Sequence, residues 1–558
     1  MKPATSPQSS LVRALPPEVW GPFLLYFVHS LCFALWIIDD AAISLAYGHN
    51  LLHGHGLVAQ AGAEPVEGFS NPLWTLITAP LTLGASQDPT AGLKTFSWLL
   101  TLGTFMVVGR LVRRVLGSGL HARATTGLVL FALSLNTSFV IWTTAGLENP
   151  LYVLLVVLYC GALVDYAASQ EDGDSQSPPW IPGLWAGALA LTRPDGVVFL
   201  VAFPAVAVLT VLRRSPTHLA SWRSELRRLI LFLLGWLGPW GSYLIFRVAY
   251  FGDLYPNTYH AKGGPGLGAA KDLLLLGPGT RDRTFELLGS MFGPFAGWVG
   301  LGVLLLTWLL ATRRSRSLSL CLIPVTACSW AIYCLLPTDW MGEFRFATPF
   351  FVVFFLFVFL ALAELAGPNL SARRVGCLAL ILTALWIPVY LPRSIGFAAD
   401  PPAPFDLLAE RALRFNHYAD ALDIGEASWL TPDLGGPLFF SRHEVRDLAG
   451  LCDRDFARLI RLTDNDALRD YVLEELRPTF INTHSFWAYR SGLHLDLRFR
   501  RDYIPLRVRP GTTDGIPDGE YVLRSAVPND AALAAARALG DENAEPLSPK
   551  TRIAFPRS

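Results

Sequence analysis

The chain has 558 residues, 52% of them hydrophobic and 16% charged, and a mean hydropathy of +0.38. It is too apolar for an ordinary soluble enzyme, in which roughly a quarter of the residues are charged. Its 45 basic residues balance 45 acidic ones, so it lacks the basic surface that a run of phosphates would require, which argues against nucleic acid as a partner. Six of the seven cysteines fall in apolar stretches, which argues against both a disulfide framework and a cysteine-based zinc site.

The first apolar run, 19–38, has no small-residue cleavage site and ends directly on Asp39 and Asp40. It reads as a retained membrane helix and not as a removed signal peptide. A span takes ~20 mostly apolar residues. Further runs lie at 93–110, 125–145, 149–166, 181–194, 197–212, 229–250, 290–311, 317–336, 347–366 and 376–392, giving about eleven transmembrane helices. The segment 72–85 is apolar over only roughly 14 residues and suits an interfacial or re-entrant helix.

Arginine clusters give an independent test of this topology, because they favour the cytoplasmic side. With 72–85 not crossing and residues 1–17 forming a cytoplasmic tail, four clusters fall inside: Arg110/Arg113/Arg114 with Arg123, Arg213/Arg214 to Arg227/Arg228, Arg313/Arg314/Arg316 and Arg373/Arg374. The opposite parity puts all four outside. The preferred parity gathers 39–71, the turn at Glu148, Arg193–Asp195, 251–289, 338–346 and everything beyond about 395 on the outer face.

The sequence therefore divides into a transmembrane domain at 18–395 with a long outer loop at 39–71, an extracytoplasmic α/β domain at 396–528 and a flexible tail at 529–558. Within the second domain, Phe405–Leu422 and Arg454–Leu476 read as helical, whereas Leu438–Phe440, Thr479–Asn482 and Tyr521–Arg524 read as strands.

The polar residues at the outer ends of the apolar runs are the candidates for chemistry. Asp39 and Asp40 place two carboxylates at a low-dielectric boundary, where a raised pKa makes a better general base for a hydroxyl nucleophile. His49, His53 and His55 invite a zinc reading, but the surrounding glycines imply a mobile turn and hydrated histidines, so no metal ligands are assigned. Val66-Glu67-Gly68-Phe69-Ser70-Asn71-Pro72-Leu73-Trp74 has the form of an entry to an interfacial helix: a glycine turn, a polar cap, proline near the first helical position and a tryptophan for the headgroup zone.

Glu148 sits at a helix start, where the macrodipole favours an acid. Arg193 and Asp195 share a tight turn and either pair with each other or bind phosphate. Asn257, Tyr259 and Lys262 in one segment, and Asp339, Trp340 and Arg345 in another, mix aromatics with cations at headgroup depth. Such cations attract lipid phosphate and such rings supply faces for a sugar or an isoprenoid; anchoring in an aromatic belt accounts equally well for the rings.

At these residues the sequence resembles bacterial GT-C glycosyltransferases, in particular the branch containing the mycobacterial terminal arabinofuranosyltransferases. The resemblance runs in chain order through Asp39-Asp40-Ala41-Ala42-Ile43-Ser44 with Gly54-His55-Gly56-Leu57-Val58, Val66 to Trp74, Gly146-Leu147-Glu148, Thr192-Arg193-Pro194-Asp195-Gly196, Pro256-Asn257-Thr258-Tyr259 and Asp339-Trp340 through Arg345-Phe346. It continues in Asp433-Leu434-Gly435 and Asp447-Leu448-Ala449-Gly450. It spans about 450 residues, and the first two stretches together are its most specific part.

The resemblance implies a polyprenyl-phosphate sugar as donor, a hydroxyl of a cell-envelope glycan, lipid or protein as acceptor, and inversion at the anomeric carbon on the outer face of a bacterial inner membrane. Asp39 or Asp40 matches the expected base. Some members of the class use a divalent metal, Mg2+ or Mn2+, and others do not. The substrate-binding candidates are Glu67, Asn71, Trp74, Glu148, Arg193, Asp195, Asn257, Tyr259, Lys262, Asp339, Trp340 and Arg345. A transporter or flippase of a lipid-linked substrate is the main alternative, but it calls for polar residues at helix centres and repeated halves, whereas here the charges gather at one face and no two halves look alike. A scaffold for an envelope or motility complex would leave the clustered acids and bases without a shared task.

Overall fold

The computed structural model describes residues 16–33, 35–83, 89–172, 177–214, 219–263, 266–312, 317–367, 372–513 and 516–540. Of the arginine clusters, Arg313, Arg314 and Arg316 lie outside the described residues, as do most of the 1–17 tail and residues 541–558.

The helices of the first 399 residues are, in order, α1 (Pro17–Leu31), α2 (Asp40–Leu52), α3 (Pro72–Thr78), α4 (Thr90–Leu116), α5 (Leu120–Leu135), α6 (Thr137–Trp142), α7 (Asn149–Asp172), α8 (Trp180–Thr192), α9 (Ala202–Arg214), α10 (Leu219–Phe251), α11 (Asn257–Lys262), α12 (Leu267–Leu274), α13 (Pro278–Phe292), α14 (Ala296–Thr312), α15 (Ser317–Leu335), α16 (Thr348–Ala366) and α17 (Ala372–Ala399). Among the described residues, 6 helices are long and apolar enough to cross a membrane: Thr90–Leu116, Asn149–Ser169, Arg223–Phe251, Pro278–Leu310, Arg345–Ala366 and Arg374–Ala399. Leu120–Leu135, Trp180–Thr192, Pro194–Thr210 and Cys321–Leu335 are shorter apolar helices.

The spans differ in how far protein covers them. α16 is enclosed, with 83% of its apolar window buried, while the windows in α10, α13–α14 and α17 are only 11% buried and turn their side chains outward. An apolar helix left uncovered by protein is a helix covered by lipid. The segment after Asn71 is short, as its length implied: seven residues of α3, opened by Pro72, run into a 3-10 turn at Ala79–Thr82.

Charge separates to the two ends of this bundle. At one end Glu18 of α1 pairs with Arg113 and Arg123, and Arg114 pairs with Asp165 near the end of α7. The opposite ends of these helices meet α2 and the C-terminal domain.

That domain contains α18 (Phe405–Ala421), β1 (Ser428–Thr431), α19 (Gly435–Phe440), β2 (Glu444–Asp447), α20 (Arg454–Leu462), α21 (Asn465–Asp470), β3 (Phe480–Thr483), α22 (Ser485–Ser491), α23 (Leu497–Asp502), β4 (Tyr503–Thr513), β5 (Ile516–Leu523) and α24 (Asp530–Leu539). The sheet order is β2-β1-β3-β5-β4. β1 is parallel to β2 and β3, and β5 is antiparallel to β3 and β4. Phe415 stacks on Trp429 at 4.3 Å between α18 and β1, closing one face of the sheet.

Two local expectations are corrected. Leu438–Phe440 is the end of helix α19 and not a strand; the glycines ahead of it have their amides satisfied by a side chain from the membrane domain, which allows a helix to start there. Residues 530–539, assigned to a flexible tail, form α24, capped by the Asn529 side chain and packed with Ala536 buried. An Asx cap and an alanine-rich face suffice for a ten-residue helix once the domain offers a surface.

Candidate active site

The chain leaving α1 is held on both sides before it enters α2. The Ile38 amide donates to Ala145 O, the Asp39 amide to Ala403 O and the Phe405 amide to Ile37 O. Residues 37–39 thus run beside the strand-like entry to the C-terminal domain, and the two acids emerge where membrane domain and C-terminal domain meet.

Their environments differ. Asp39 is 2% exposed, and its two oxygens accept the amides of Gly435 (2.7 Å) and Gly436 (2.6 Å) at the start of α19. A Cβ on Gly435 would stand 2.0 Å from the Asp39 carbonyl oxygen, so only glycine fits. Burial, then the neighbouring carboxylate of Asp433, push Asp39 up to about 8, against the two amide bonds; Asp40 adds to the rise. Asp433 stays charged: burial raises it, but the His484 hydrogen bond and the Arg411 guanidinium bring it down to about 2.

Asp40 opens α2 with a side chain 26% exposed, and Lys262 Nζ stands 3.9 Å from its Oδ2. Asp39 is enclosed, with both oxygens engaged, and Asp40 has the access.

One helical turn along α2, about 6 Å of rise, Ser44 begins a buried network. Its hydroxyl donates to Asn71 Oδ1 (2.9 Å), and Asn71 Nδ2 donates to Glu148 Oε2 (2.8 Å). Arg193 Nη1 donates to Glu148 Oε1 (2.6 Å), Arg193 Nε to Asp195 Oδ1 (3.0 Å), and the Tyr152 hydroxyl to Asp195 Oδ2 (3.3 Å). The turn that delivers Glu148 depends on Gly146, at φ +89, whose Cβ position lies 3.0 Å from Ala41 Cβ of α2. A left-handed conformation and a close helix approach both require glycine there.

The network extends through one ring. The Arg193 guanidinium lies 5.1 Å from the Phe346 centroid and that of Arg345 4.7 Å from it. Arg345 pairs with Asp339 at 2.7 Å. Two cations are thereby held near each other, each fixed by carboxylates and by an aromatic face.

Glu67 forms a third centre with residues the sequence did not single out. Arg247 Nε donates to Glu67 Oε2 and the Tyr243 hydroxyl to Oε1, both at 2.6 Å. A lone arginine inside the apolar stretch of α10 was the available signal, since such a charge requires a partner. Arg393 was missed likewise; it pairs with Glu343 and donates to Ser138 Oγ at 2.7 Å.

Comparison with known proteins decides the fold. ArnT of Cupriavidus metallidurans, crystallised in the apo state, superposes with a TM-score of 0.54 over 92% of this chain and 98% of that one, at 14% identity. An Archaeoglobus fulgidus oligosaccharyltransferase, crystallised with zinc and sulfate, gives 0.53 over 91% of this chain and 74% of that one, at 13% identity. The chain has a GT-C fold.

In sequence the chain is 29% identical over 313 residues to a terminal β-(1→2)-arabinofuranosyltransferase of Mycobacterium tuberculosis, covering 52% of this chain and 43% of the relative. A protein of the same name from Corynebacterium glutamicum is 28% identical over 296 residues, covering 48% and 38%. The chain thus matches less than half the length of these curated relatives, and no family model matches it.

Not every candidate reaches this site. Trp74 is fully buried and packs on Phe96 at 5.8 Å, so it is a core residue and not a substrate contact; apolar spacing at a helix start cannot distinguish the two. Asn257 spends its side-chain amide on Gly450 O and Leu451 O, both at 2.9 Å, and so clamps the C-terminal domain. Tyr259 is half-exposed and stacks on Tyr255 at 4.8 Å, and Trp340 is exposed. His53 Nδ1 bonds the His49 carbonyl oxygen at 2.8 Å. Among the described residues no group of three or more His, Cys, Asp or Glu is placed to hold a metal.

Proposed function

We propose that this protein is a membrane glycosyltransferase that moves a sugar, arabinofuranose or mannose among the candidates, from a polyprenyl-phosphate donor to a hydroxyl of a cell-envelope glycan, lipid or protein. The observation that carries the reading is the approach of Lys262 to Asp40, 3.9 Å apart at a sequence separation of 222, with buried Asp39 alongside. The relatives' names favour arabinofuranose.

In the proposed reaction the acceptor hydroxyl gives its proton to Asp40, the accessible member of the Asp39–Asp40 pair, as its oxygen attacks the anomeric carbon, with Asp39 positioning the start of α2 behind it. The bond from that carbon to the phosphate oxygen breaks, and polyprenyl phosphate departs with the electron pair on the opposite side, so configuration inverts. Lys262 is the open cation and meets the leaving phosphate. Arg193 and Arg345 are immobilised by Glu148, Asp195 and Asp339; three carboxylates outweigh two guanidiniums, so this network supplies prepositioned donors and not a net positive field. The active face is extracytoplasmic in a bacterial inner membrane, consistent with the arginine clusters at the opposite helix ends.

The test is incubation of the purified protein in nanodiscs with a panel of polyprenyl-phosphate sugars and hydroxyl acceptors, with NMR of the product's anomeric configuration. Inverted product supports the reading. Absence of transfer from every lipid-phosphate donor, or retention of configuration, overturns it.

A further inference from the structure

The segment between Lys262 and the span beginning at Pro278 is rich in glycine and leucine, with Lys271 and Asp272 as its charged residues, and it holds the two most exposed leucines among the described residues. α12 spans eight residues and buries none of them. Leu267 is 92% exposed and Leu274 84%, and Leu275 and Leu276 just beyond are also exposed. Leu267, Lys271 and Leu274 fall at i, i+4 and i+7, which places them along one face of the helix.

We propose that this face of α12 lies in the lipid leaflet on the active side and holds Lys262 at the depth of lipid phosphates, so that the lipid-linked donor enters sideways from the bilayer. Position argues for lipid as the occupant. α12 ends four residues before a helix of 33 residues long and apolar enough to cross a membrane, so it must lie close to the boundary of the bilayer. The chain turns at Leu276, with φ at +48, directly into that helix. The uncovered apolar surface continues along it through Phe285, Trp298, Leu301 and Leu304, all exposed.

Charge fits the same occupant. The acid of α12, Asp272, is used up in capping α13, where its Oδ2 accepts the amide and the hydroxyl of Thr280. Lys271 is left outward on the leucine face, where cations are drawn to phosphate headgroups while leucines reach the acyl boundary. Contact with the bilayer is independent of the glycosyl-transfer reading, whereas the entry of the donor rests on it.

The test uses the full chain in nanodiscs of phosphatidylcholine and phosphatidylglycerol, with exposed Cys32 and Cys377 replaced by serine. Single cysteines at Leu267→Cys, Leu274→Cys and Leu276→Cys carry an environment-sensitive fluorophore. Leu462→Cys, also exposed but on the C-terminal domain, is the control. Nitroxide lipids are expected to quench the α12 probes at least twofold and leave the control unchanged. Quenching of the α12 probes by aqueous iodide as strongly as the control overturns the proposal; so does shielding from both quenchers, which would place protein on this face. A Leu274→Ser/Leu275→Ser variant is expected to raise KM for a lipid-linked donor about fivefold with kcat unchanged, and an unaltered KM overturns the donor-entry part alone.

Discussion

Removing the positive charge of Arg193 is the sharpest test of the buried network. Its side chain and those of Glu148 and Asp195 are each no more than 10% exposed, and it bonds both carboxylates. Arg193→Met keeps much of the volume but leaves two buried acids facing each other without a cation. Breaking a buried pair by deleting one partner costs ~3–5 kcal/mol, because the residual charge is stranded. For a chain of this size each kcal/mol shifts Tm by about 2 °C, the low end of the usual scale. Thermal unfolding in nanodiscs should therefore show a fall of about 6–10 °C. Arg193→Lys should lie between wild type and Arg193→Met, since an ammonium cannot fork across two carboxylates. Adding Glu148→Gln to Arg193→Met should restore part of the loss, because one stranded charge is removed. A fall below about 2 °C for Arg193→Met, or no recovery in the double variant, refutes the reasoning.

Three further outcomes are expected. Asp39 in the folded chain is pushed up to about 8 from an unfolded value of 3.8, so the folded state holds more protons between these limits. Stability should therefore decline as pH rises from about 4 to about 8, and a Tm–pH profile of Asp39→Asn should be flatter than that of wild type; parallel profiles contradict this. Asn257→Ala removes donors from Gly450 O and Leu451 O and should cost ~1–3 kcal/mol, read as faster hydrogen exchange across 447–453; unchanged exchange there sinks the clamp. Lys262→Gln should lower kcat/KM for a lipid-phosphate donor about tenfold or more while Lys262→Arg retains most of it. Equal values for Lys262→Gln and wild type remove Lys262 from the donor site.

Much of the site was legible because membranes concentrate information in polar residues at the ends of apolar runs. Asn71, Glu148, Arg193 and Asp195 stand out by that rule, and they bond one another. Asp339 and Arg345 stand out too and pair. Partnership across the two domains was not legible. Nothing in the spacing of Asp39 announces that its carboxylate caps a helix starting at Gly435, because that contact is made by backbone amides, which leave no composition signal. Asn257 misled for the same reason: its partners are carbonyl oxygens. Arg247 was visible as an isolated charge in α10, yet its pairing with Glu67 depends on how a long loop folds back. The strand reading of Leu438–Phe440 failed because three apolar residues fit either period, and only the docked carboxylate decides between them.

The central claim is that the Asp39–Asp40 pair activates the acceptor, and single-turnover transfer from polyprenyl-phosphate arabinofuranose by Asp39→Asn and Asp40→Asn, measured beside wild type in nanodiscs, tests it most directly. The account predicts a loss of about a hundredfold or more in Asp40→Asn, the scale of general-base catalysis, and a smaller loss in Asp39→Asn, which also loosens the 435–436 contact. Transfer at the wild-type rate in both variants would contradict it.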